Sequence, residues 1–225
     1  MLFARRDTKD TAKILRLKAA EWRQGEVLRL TKRRRWDADP SAKCMVLRRR
    51  DYGELALTAM RWGLAPEWEQ GEARPLVNVR AETVAEQVEW RRLLNTHRCL
   101  IPTEQFFEWK RIGGVKTREY LFKLRTRRPM MIAGLWRKAA AGETADTFAY
   151  ISCPANRLVG FIHERMPVVL EDGNVAAWLN PDASLENLLG LLRPLRDGEL
   201  ELHPVAHAET RAKPYQPSLF ASRAA

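Results

Sequence analysis

The chain has 225 residues, 45% of them hydrophobic, which is enough for a packed core and argues against a disordered chain. It contains 39 Lys and Arg residues against 28 Asp and Glu residues, a formal net charge of +11. No long apolar run occurs and Met1–Arg6 is already charged, so neither a membrane span nor a secretory signal is expected. Cys44, Cys99 and Cys153 lie far apart and form no CxxC pair, which favours a reducing, cytoplasmic location.

The positive charge is concentrated at the start of the sequence. Residues 1–50 contain 16 Lys and Arg and 6 Asp and Glu, a net charge of +10, whereas residues 51–225 contain 23 and 22, a net charge of +1. A cluster of this kind attracts polyanions and strengthens nucleic-acid binding by releasing counterions. The alternative interpretation is a solvated basic surface without a partner.

Short strand patterns alternate with a few helical patterns along the chain. Apolar residues at helical spacing predict a helix over Thr8–Arg23, and a second helix is predicted over Glu82–Leu94. Two strands, Met45–Arg50 and Leu55–Trp62, are joined by the turn sequence Asp51-Tyr52-Gly53. The later elements are the strands Cys99–Ile101, Phe106–Lys110, Tyr120–Leu124, Met130–Trp136 and Thr147–Ser152, a hairpin turn at Gly113-Gly114, and the helices Val175–Leu179 and Leu185–Leu192.

This order of elements predicts an α+β fold. Many short strands with interspersed helices are typical of that class, and the absence of a β-α-β rhythm argues against a doubly wound sheet. No linker-like stretch divides the chain, so we expect residues 1–210 to form one domain. Residues 211–225 contain two prolines and are expected to form a flexible tail.

Two motifs suggest contacts with nucleic acid. In Trp62-Gly63-Leu64-Ala65-Pro66-Glu67-Trp68, two Trp residues flank a turn, and an exposed indole there can stack on unpaired bases. The alternative is that both Trp residues belong to the core. In the segment Val77–Thr83, strand alternation places Asn78 and Arg80 on one face, where Arg80 can hold a phosphate and Asn78 can bond a reacting group. The alternative is a helix junction with Asn78 as a turn residue.

Two further motifs suggest proton transfer. Glu108 lies between large apolar residues in Phe106–Trp109, and desolvation raises the pKa of a carboxyl group, which suits a general acid or base. The alternative is a strand residue whose carboxylate faces water. His163, in Ile162–Pro167, is the side-chain type best suited to move protons at neutral pH, although a lone His is often structural.

Several common site types are absent from the sequence. It contains no GxxxxGK[ST] phosphate loop, no GxSxG motif and no HExxH motif. His203 and His207 are four residues apart, but Pro204 disfavours the helix that would join them in a zinc site. No metal and no cofactor are expected.

Taken together, the motifs resemble the SOS-response-associated peptidase family, also known as the SRAP or abasic-site processing family. The resemblance covers about residues 36–180 and rests on six pieces in family order. They are WGLAPEW, NVRAET, CLIPTEQFFEW, AGLW at residues 133–136, ISCPAN at residues 151–156, and IHERMP.

The resemblance implies a fold, a substrate and a set of roles. The fold is a compact domain with a central, open barrel-like β core, flanking short helices and a positively charged groove. The partner is single-stranded DNA with abasic sites, bound by a monomer at the nucleoid. Asn78 would hydrogen-bond the sugar, Glu108 would shuttle protons, and His163 would protonate the sugar oxygen. The DNA-binding residues would be Arg80, Trp68 and Trp109, with Arg165 as a further candidate on the same DNA face.

The resemblance also implies covalent chemistry that this sequence does not fully support. In the family, an N-terminal Cys, freed by self-cleavage of the initiator Met, condenses with the ring-opened abasic aldehyde and closes a thiazolidine ring. Here position 2 is Leu2, and the three internal cysteines lack the required α-amine. Either a segment beginning Met-Cys precedes this start, or the chain has diverged.

Three functions remain open from the sequence. The first is an abasic-site processing protein that forms a DNA–protein crosslink, with lyase or hydrolase chemistry. The second is a non-catalytic module that binds single-stranded DNA and has lost the crosslinking chemistry. The third is a peptidase acting on other proteins, for which the sequence shows no separate nucleophile–base pair.

Overall fold

The structure is a computed structural model, and it describes the backbone of residues 2–4 together with residues 43–50, 55–64, 75–126, 128–139 and 145–205. Five predicted features lie outside the described residues: the helix Thr8–Arg23, most of the basic cluster in residues 1–50, the turn Asp51-Tyr52-Gly53, Trp68, and the tail of residues 211–225.

The described residues form twelve strands and four helices. The strands are β1 (Leu2–Ala4), β2 (Lys43–Arg49), β3 (Leu55–Trp62), β4 (Asn78–Arg80), β5 (Arg98–Thr103), β6 (Gln105–Ile112), β7 (Val115–Leu124), β8 (Met130–Arg137), β9 (Thr147–Pro154), β10 (Arg165–Pro167), β11 (Val169–Leu170) and β12 (Leu200–Pro204). The helices are α1 (Val88–Thr96), α2 (Arg157–Gly160), α3 (Asp172–Leu179) and α4 (Leu185–Gly190).

The strands form two sheets. The smaller sheet has the order β1-β6-β7-β12, and all of its pairs are antiparallel. The larger sheet has the order β10-β9-β3-β2-β5-β8-β11, and an additional pairing of β8 with β9 closes its middle strands into a barrel. Strand β4 pairs in parallel with β9 at the edge of this barrel. The α+β prediction with a barrel-like β core is therefore confirmed.

The core lies inside the barrel and between the two sheets. Strand β8 is buried along its whole length, and strand β9 is buried up to Cys153. Phe106 and Phe122 stack across the smaller sheet, with ring centroids 4.8 Å apart. Gly134 has no room for a side chain, because a Cβ atom there would lie 2.6 Å from Ile101 Cδ1 and 2.8 Å from the carbonyl O of Ala149. This close approach explains the glycine of the AGLW motif.

A buried cation connects two helices to the barrel. Arg98 is 7% exposed, and burial lowers the pKa of its guanidinium group. Its Nε donates to the carbonyl O of Trp178, Nη1 to those of Leu94 and Asn95, and Nη2 to that of Asn180, each at 2.6 Å. These carbonyl groups lie near the C-terminal ends of α1 and α3, where helices leave acceptors unsatisfied. Arg98 therefore joins two helix ends to strand β5.

Most predicted elements overlap the observed ones, and one helix differs clearly. Strand β3 matches its prediction at both ends, and the hairpin turn at Gly113-Gly114 has positive φ angles of 57° and 82°. The predicted helix Glu82–Leu94 begins only at Val88, because residues 81–86 form turns in which the N–H of Glu86 bonds the carbonyl O of Thr83. Glu82 is instead engaged by Arg165. No helix among the described residues is long and apolar enough to cross a membrane.

Candidate active site

Glu108 is a buried carboxyl group on the inner face of the smaller sheet. Strand alternation places it on the same face as Phe106, and it lies opposite Tyr120 on β7. Only 6% of the residue is exposed. Burial raises the pKa of the Glu108 carboxyl above its ordinary value, and the charges of the chain's N-terminal amine, His163 and Arg111 oppose that rise. A carboxyl of this kind can hold a proton closer to neutral pH than an exposed Glu.

Strand β1 brings the start of the sequence to the same place. Its backbone pairs with β6, with Leu2 opposite Phe107 and Ala4 opposite Gln105. The pairing ends one residue before Glu108 on β6, and the N-terminal amine acts electrostatically on that carboxyl. The backbone of Leu2 therefore lies beside the strand that carries Glu108.

Asn78 is held at the edge of the barrel. It is the first residue of β4 and lies opposite Tyr150 on β9. Its Nδ2 donates to the Oγ of Ser152 at 3.1 Å, which fixes the orientation of the amide. With Nδ2 engaged, the Oδ1 atom is the one suited to accept a hydrogen bond from a ligand.

His163 lies in the loop between α2 and β10, and its ring is partly exposed. Its Nδ1 is 3.1 Å from both the backbone N and the carbonyl O of Arg165, so the ring is anchored through that nitrogen. Nε2 is therefore the ring nitrogen suited to meet a ligand. His163 is close enough to Glu108 to lower the pKa of its carboxyl.

Arg165 forms the centre of a polar network beside these residues. Its Nη1 and Nη2 donate to the two carboxylate oxygens of Glu82 at 2.8 and 2.9 Å. Its Nε donates to the Oγ of Ser152 at 3.2 Å, and Nη2 donates to the carbonyl O of Ser152 at 2.8 Å. Ser152 thus receives bonds from both Arg165 and Asn78. The structure places Arg165 as a residue that positions others, in addition to its predicted place on the DNA face.

The other predicted DNA-binding residues are distributed differently. Arg80 is exposed, two residues after Asn78 on the same strand, so it can reach a phosphate. Trp109 follows Glu108 on β6 and therefore points to the opposite face of the sheet, where Lys116 Nζ lies 5.3 Å from its ring centroid. Trp68 lies outside the described residues. Asn78 is thus linked through Ser152 to Arg165, whose backbone anchors His163, and His163 acts electrostatically on Glu108. Trp109 points to the opposite face of β6 from that carboxyl.

Sequence reasoning missed two residues of the site. Ser152 bonds Asn78 and Arg165, although the sequence showed it only as part of the ISCPAN motif. Tyr150 is buried opposite Asn78, and burial together with the charge of Glu108 raises the pKa of its hydroxyl. Both residues come from β9, and only the parallel pairing of β4 with β9 reveals them. No cluster of three or more His, Cys, Asp and Glu side chains suited to a metal occurs among the described residues.

Sequence comparison finds one family model and several related proteins that match most of this chain. A family model described as SOS response associated peptidase (SRAP) matches residues 5–210. The chain is 34% identical to the abasic site processing protein YoqW of Bacillus subtilis (strain 168) over 177 residues, 76% of this chain and 79% of that protein. It is 26% identical to the abasic site processing protein HMCES of Xenopus tropicalis over 200 residues, 76% of this chain and 59% of that protein.

Solved structures resemble the fold as well. A protein from Bacteroides thetaiotaomicron aligns with a TM-score of 0.64 at 26% identity, over 74% of this chain and 75% of that chain. A phage-related protein from Bordetella bronchiseptica aligns with a TM-score of 0.71 at 23% identity, over 92% and 93% of the two chains, and supports the fold alone. The family match includes every described strand except β1. The chain therefore belongs to the SOS response associated peptidase (SRAP) family.

Proposed function

We propose that this protein processes abasic sites in DNA. It binds single-stranded DNA that contains an abasic site and reacts with the ring-opened sugar aldehyde to form a covalent DNA–protein crosslink. The observation that carries this proposal is the buried Glu108, a carboxyl group whose pKa is raised by burial and which interacts electrostatically with His163 and the N-terminal amine. The names of the relatives as abasic site processing proteins support the same substrate.

The covalent step is the condensation of a primary amine with an aldehyde. The amine nitrogen attacks C1′ of the open sugar and forms a carbinolamine, which then loses water to give a C=N bond. Glu108 accepts a proton from the attacking amine and returns one to the departing hydroxyl group. The amine is proposed to be the one that β1 brings to Glu108.

The other site residues prepare the sugar for that step. His163, anchored through Nδ1, donates a proton from Nε2 to the ring oxygen and favours the open aldehyde. Asn78, oriented by Ser152, accepts a hydrogen bond from a sugar hydroxyl group through Oδ1. Arg80 holds a backbone phosphate, which fixes the position of the strand.

The residue at position 2 decides how stable the adduct is. In a protein that begins at Met1, Leu2 supplies no thiol next to the amine, so the adduct of that form stays a reversible Schiff base and permits strand cleavage by β-elimination. A Cys at the N-terminus would close a thiazolidine ring after removal of the Met, in a self-cleavage for which Glu108 is the proposed proton carrier.

Borohydride trapping on an abasic single-stranded oligonucleotide tests this function. We expect the protein to give a trapped adduct only when borohydride is present, and the Leu2→Cys variant to give a stable adduct without it. Glu108→Gln and His163→Ala are expected to slow trapping by about 100-fold each. The same oligonucleotide with a tetrahydrofuran residue, which has no aldehyde, is the control. Absence of trapping from both forms of the protein would contradict the enzymatic proposal.

A second candidate is a non-catalytic module that binds single-stranded DNA, and Leu2 is the feature that favours it. This function predicts salt-dependent binding that is weakened by Arg80→Ala, with no covalent product. Binding without trapping, including in the Leu2→Cys variant, would select the module over the crosslinking protein.

A further inference from the structure

The hairpin formed by β6 and β7 carries unbalanced positive charge. Residues 110–118 contain four Lys and Arg residues and no Asp or Glu. Lys110 lies directly opposite Arg118, and Arg111 lies directly opposite Lys116. Like charges that face each other across a strand pair destabilise a sheet. Within the described part of the chain, neither Lys110 nor Arg118 forms a salt bridge.

The hairpin tip is also unusual in its exposed apolar pair. Ile112 is 64% exposed, Val115 is 66% exposed, and the two lie opposite each other next to the Gly113-Gly114 turn. These two side chains are therefore not part of the core, although β-branched residues of this kind are usually half buried in a sheet. A partner that covers the tip would recover that apolar contact.

Strand alternation aligns these groups with Glu108. Side chains two residues apart on a strand share a face, so Glu108, Lys110 and Ile112 point to the same side of the sheet. Their cross-strand partners on β7 are Tyr120, Arg118 and Val115, and a register shift after Lys110 leaves Thr117 without a partner, so that Val115 lies opposite Ile112. The face therefore runs from the site carboxyl to a pair of cations and then to an apolar pair, in steps of about 7 Å along the strand. We call Lys110, Arg118, Ile112 and Val115 the hairpin track.

We propose that the hairpin track binds the unpaired DNA strand that flanks the lesion, with Lys110 and Arg118 on a backbone phosphate and Ile112 and Val115 against a neighbouring base. The inference rests on the proposed function and adds a binding surface beyond the site itself. The cation pair has the charge that a phosphodiester requires, and the apolar pair offers a surface for a base face that a duplex would keep stacked.

The test compares two double variants of the full chain with a matched control. Lys110→Thr with Arg118→Thr removes the cation pair and keeps residues that favour strands. Ile112→Thr with Val115→Thr removes the apolar pair. Arg91→Gln with Arg193→Gln removes two exposed cations elsewhere and serves as the control. Binding is measured by fluorescence anisotropy on abasic oligonucleotides with long single-stranded flanks, with truncated flanks, and with duplex flanks, over a range of salt concentrations.

We expect the cation variant to bind the long single strand about tenfold more weakly at low salt and to lower its salt slope by about 0.7, the amount for one single-strand phosphate contact. The apolar variant is expected to weaken the same binding severalfold with an unchanged slope. Neither variant should bind the truncated oligonucleotide differently from the unmodified protein. The unfolding temperature of the cation variant should stay equal or rise, because a like-charge pair has been removed.

Three outcomes would overturn the proposal. The first is an equal loss of binding affinity in the cation variant and the control. The second is a loss of affinity that persists on the truncated oligonucleotide. The third is a loss of affinity that occurs only with duplex flanks. Failure of the unmodified protein to bind any abasic oligonucleotide would instead contradict the proposed function. The two failures are therefore distinguishable in one set of measurements.

Discussion

Arg98 and Glu108 are both buried and ionisable, but their environments differ in the groups that surround them. Arg98 is surrounded by fixed acceptors, with four carbonyl oxygens at 2.6 Å from its guanidinium nitrogens. Glu108 is about equally buried, but the groups that act on its carboxyl include a second titratable side chain, His163, and the N-terminal amine. The protein therefore holds one buried charge by rigid backbone dipoles and leaves the other in an environment that can exchange protons.

This difference indicates which buried charge serves the fold and which serves the site. A side chain whose hydrogen bonds are all made to the backbone serves the fold rather than a ligand. Its substitution is therefore expected to lower the free energy of unfolding. A group that burial destabilises in its charged form gains reactivity at the expense of stability. Substitutions at the two positions should thus have opposite effects on folding.

The largest effect is expected at Arg98. Arg98→Met leaves four carbonyl groups without their donor, two of them in fully buried hydrogen bonds, and should lower the free energy of unfolding by about 4 kcal/mol. Urea denaturation followed by circular dichroism measures the change. Arg91→Met, at an exposed position on helix α1, is the control and should change stability by less than about 0.5 kcal/mol. A loss at Arg98 no larger than that of the control would contradict a structural role.

Glu108→Gln should separate activity from stability. We expect adduct formation to slow by about 100-fold while the free energy of unfolding at neutral pH rises by about 1 kcal/mol. Because the folded-state pKa of Glu108 is raised, the folded protein binds this proton more tightly than the unfolded chain does. The contribution of Glu108 to stability is therefore greatest at acid pH and is lost as the pH rises through the raised pKa.

The matching measurement is thermal unfolding of both proteins across that pH range. The Gln variant should gain its advantage only as the pH rises, and the exposed Glu199→Gln serves as control. A Gln variant that is less stable than the unmodified protein at neutral pH would show that Glu108 is a structural charge like Arg98.

Ser152→Ala probes the support of the site and should have an intermediate effect. The substitution removes the acceptor for Asn78 Nδ2 and for two nitrogens of Arg165. We expect trapping to fall about tenfold with a stability loss of about 1 kcal/mol. Ser152→Thr keeps the hydroxyl group and should restore most of the trapping rate. Equal rates for the Ala and Thr variants would show that the hydroxyl does not orient Asn78.

The smallest effect is expected at the Glu82–Arg165 ion pair. Its hydrogen bond from Arg165 lowers the pKa of the Glu82 carboxyl, so its stabilising contribution is present above the ordinary carboxyl pKa and is lost as the pH falls through the lowered value. Since the Glu82 side chain is 44% exposed, Glu82→Gln should cost less than about 1 kcal/mol at neutral pH. Urea titrations at neutral and acid pH test this, and a larger loss would place the pair among the structural charges.

The strands and the candidate residues could be predicted from the sequence, because both leave patterns within a few neighbouring residues. Alternation located β3 from end to end, and residue types together with the family resemblance selected Asn78, Glu108 and His163. The helix start at Val88 was not predictable, because Glu82 is engaged by Arg165, a residue 83 positions later. The hydrogen bond of Asn78 to Ser152 was also not predictable, because it depends on the parallel pairing of two strands whose bonded residues are 74 positions apart.

The face of β6 on which Trp109 lies shows a further limit of sequence reasoning. Trp109 and Glu108 are adjacent in the sequence, yet the strand pleat puts their side chains on opposite faces of β6, and DNA binding by Trp109 stays a prediction. The same alternation, once the register with β7 is known, reveals the hairpin track. The residue pattern along the chain predicts a strand. The pairing register with the neighbouring strand determines which side chains on the two strands lie opposite each other.

The most direct test of the central claim is a crystal structure of the protein with a single-stranded oligonucleotide that carries a tetrahydrofuran abasic analogue. The account predicts that the analogue lies between β4 and β6, within hydrogen-bonding distance of Asn78 Oδ1 and His163 Nε2 and beside the Glu108 carboxyl. An analogue bound elsewhere on the protein, or one whose sugar is separated from these three side chains by packed hydrocarbon, would contradict it.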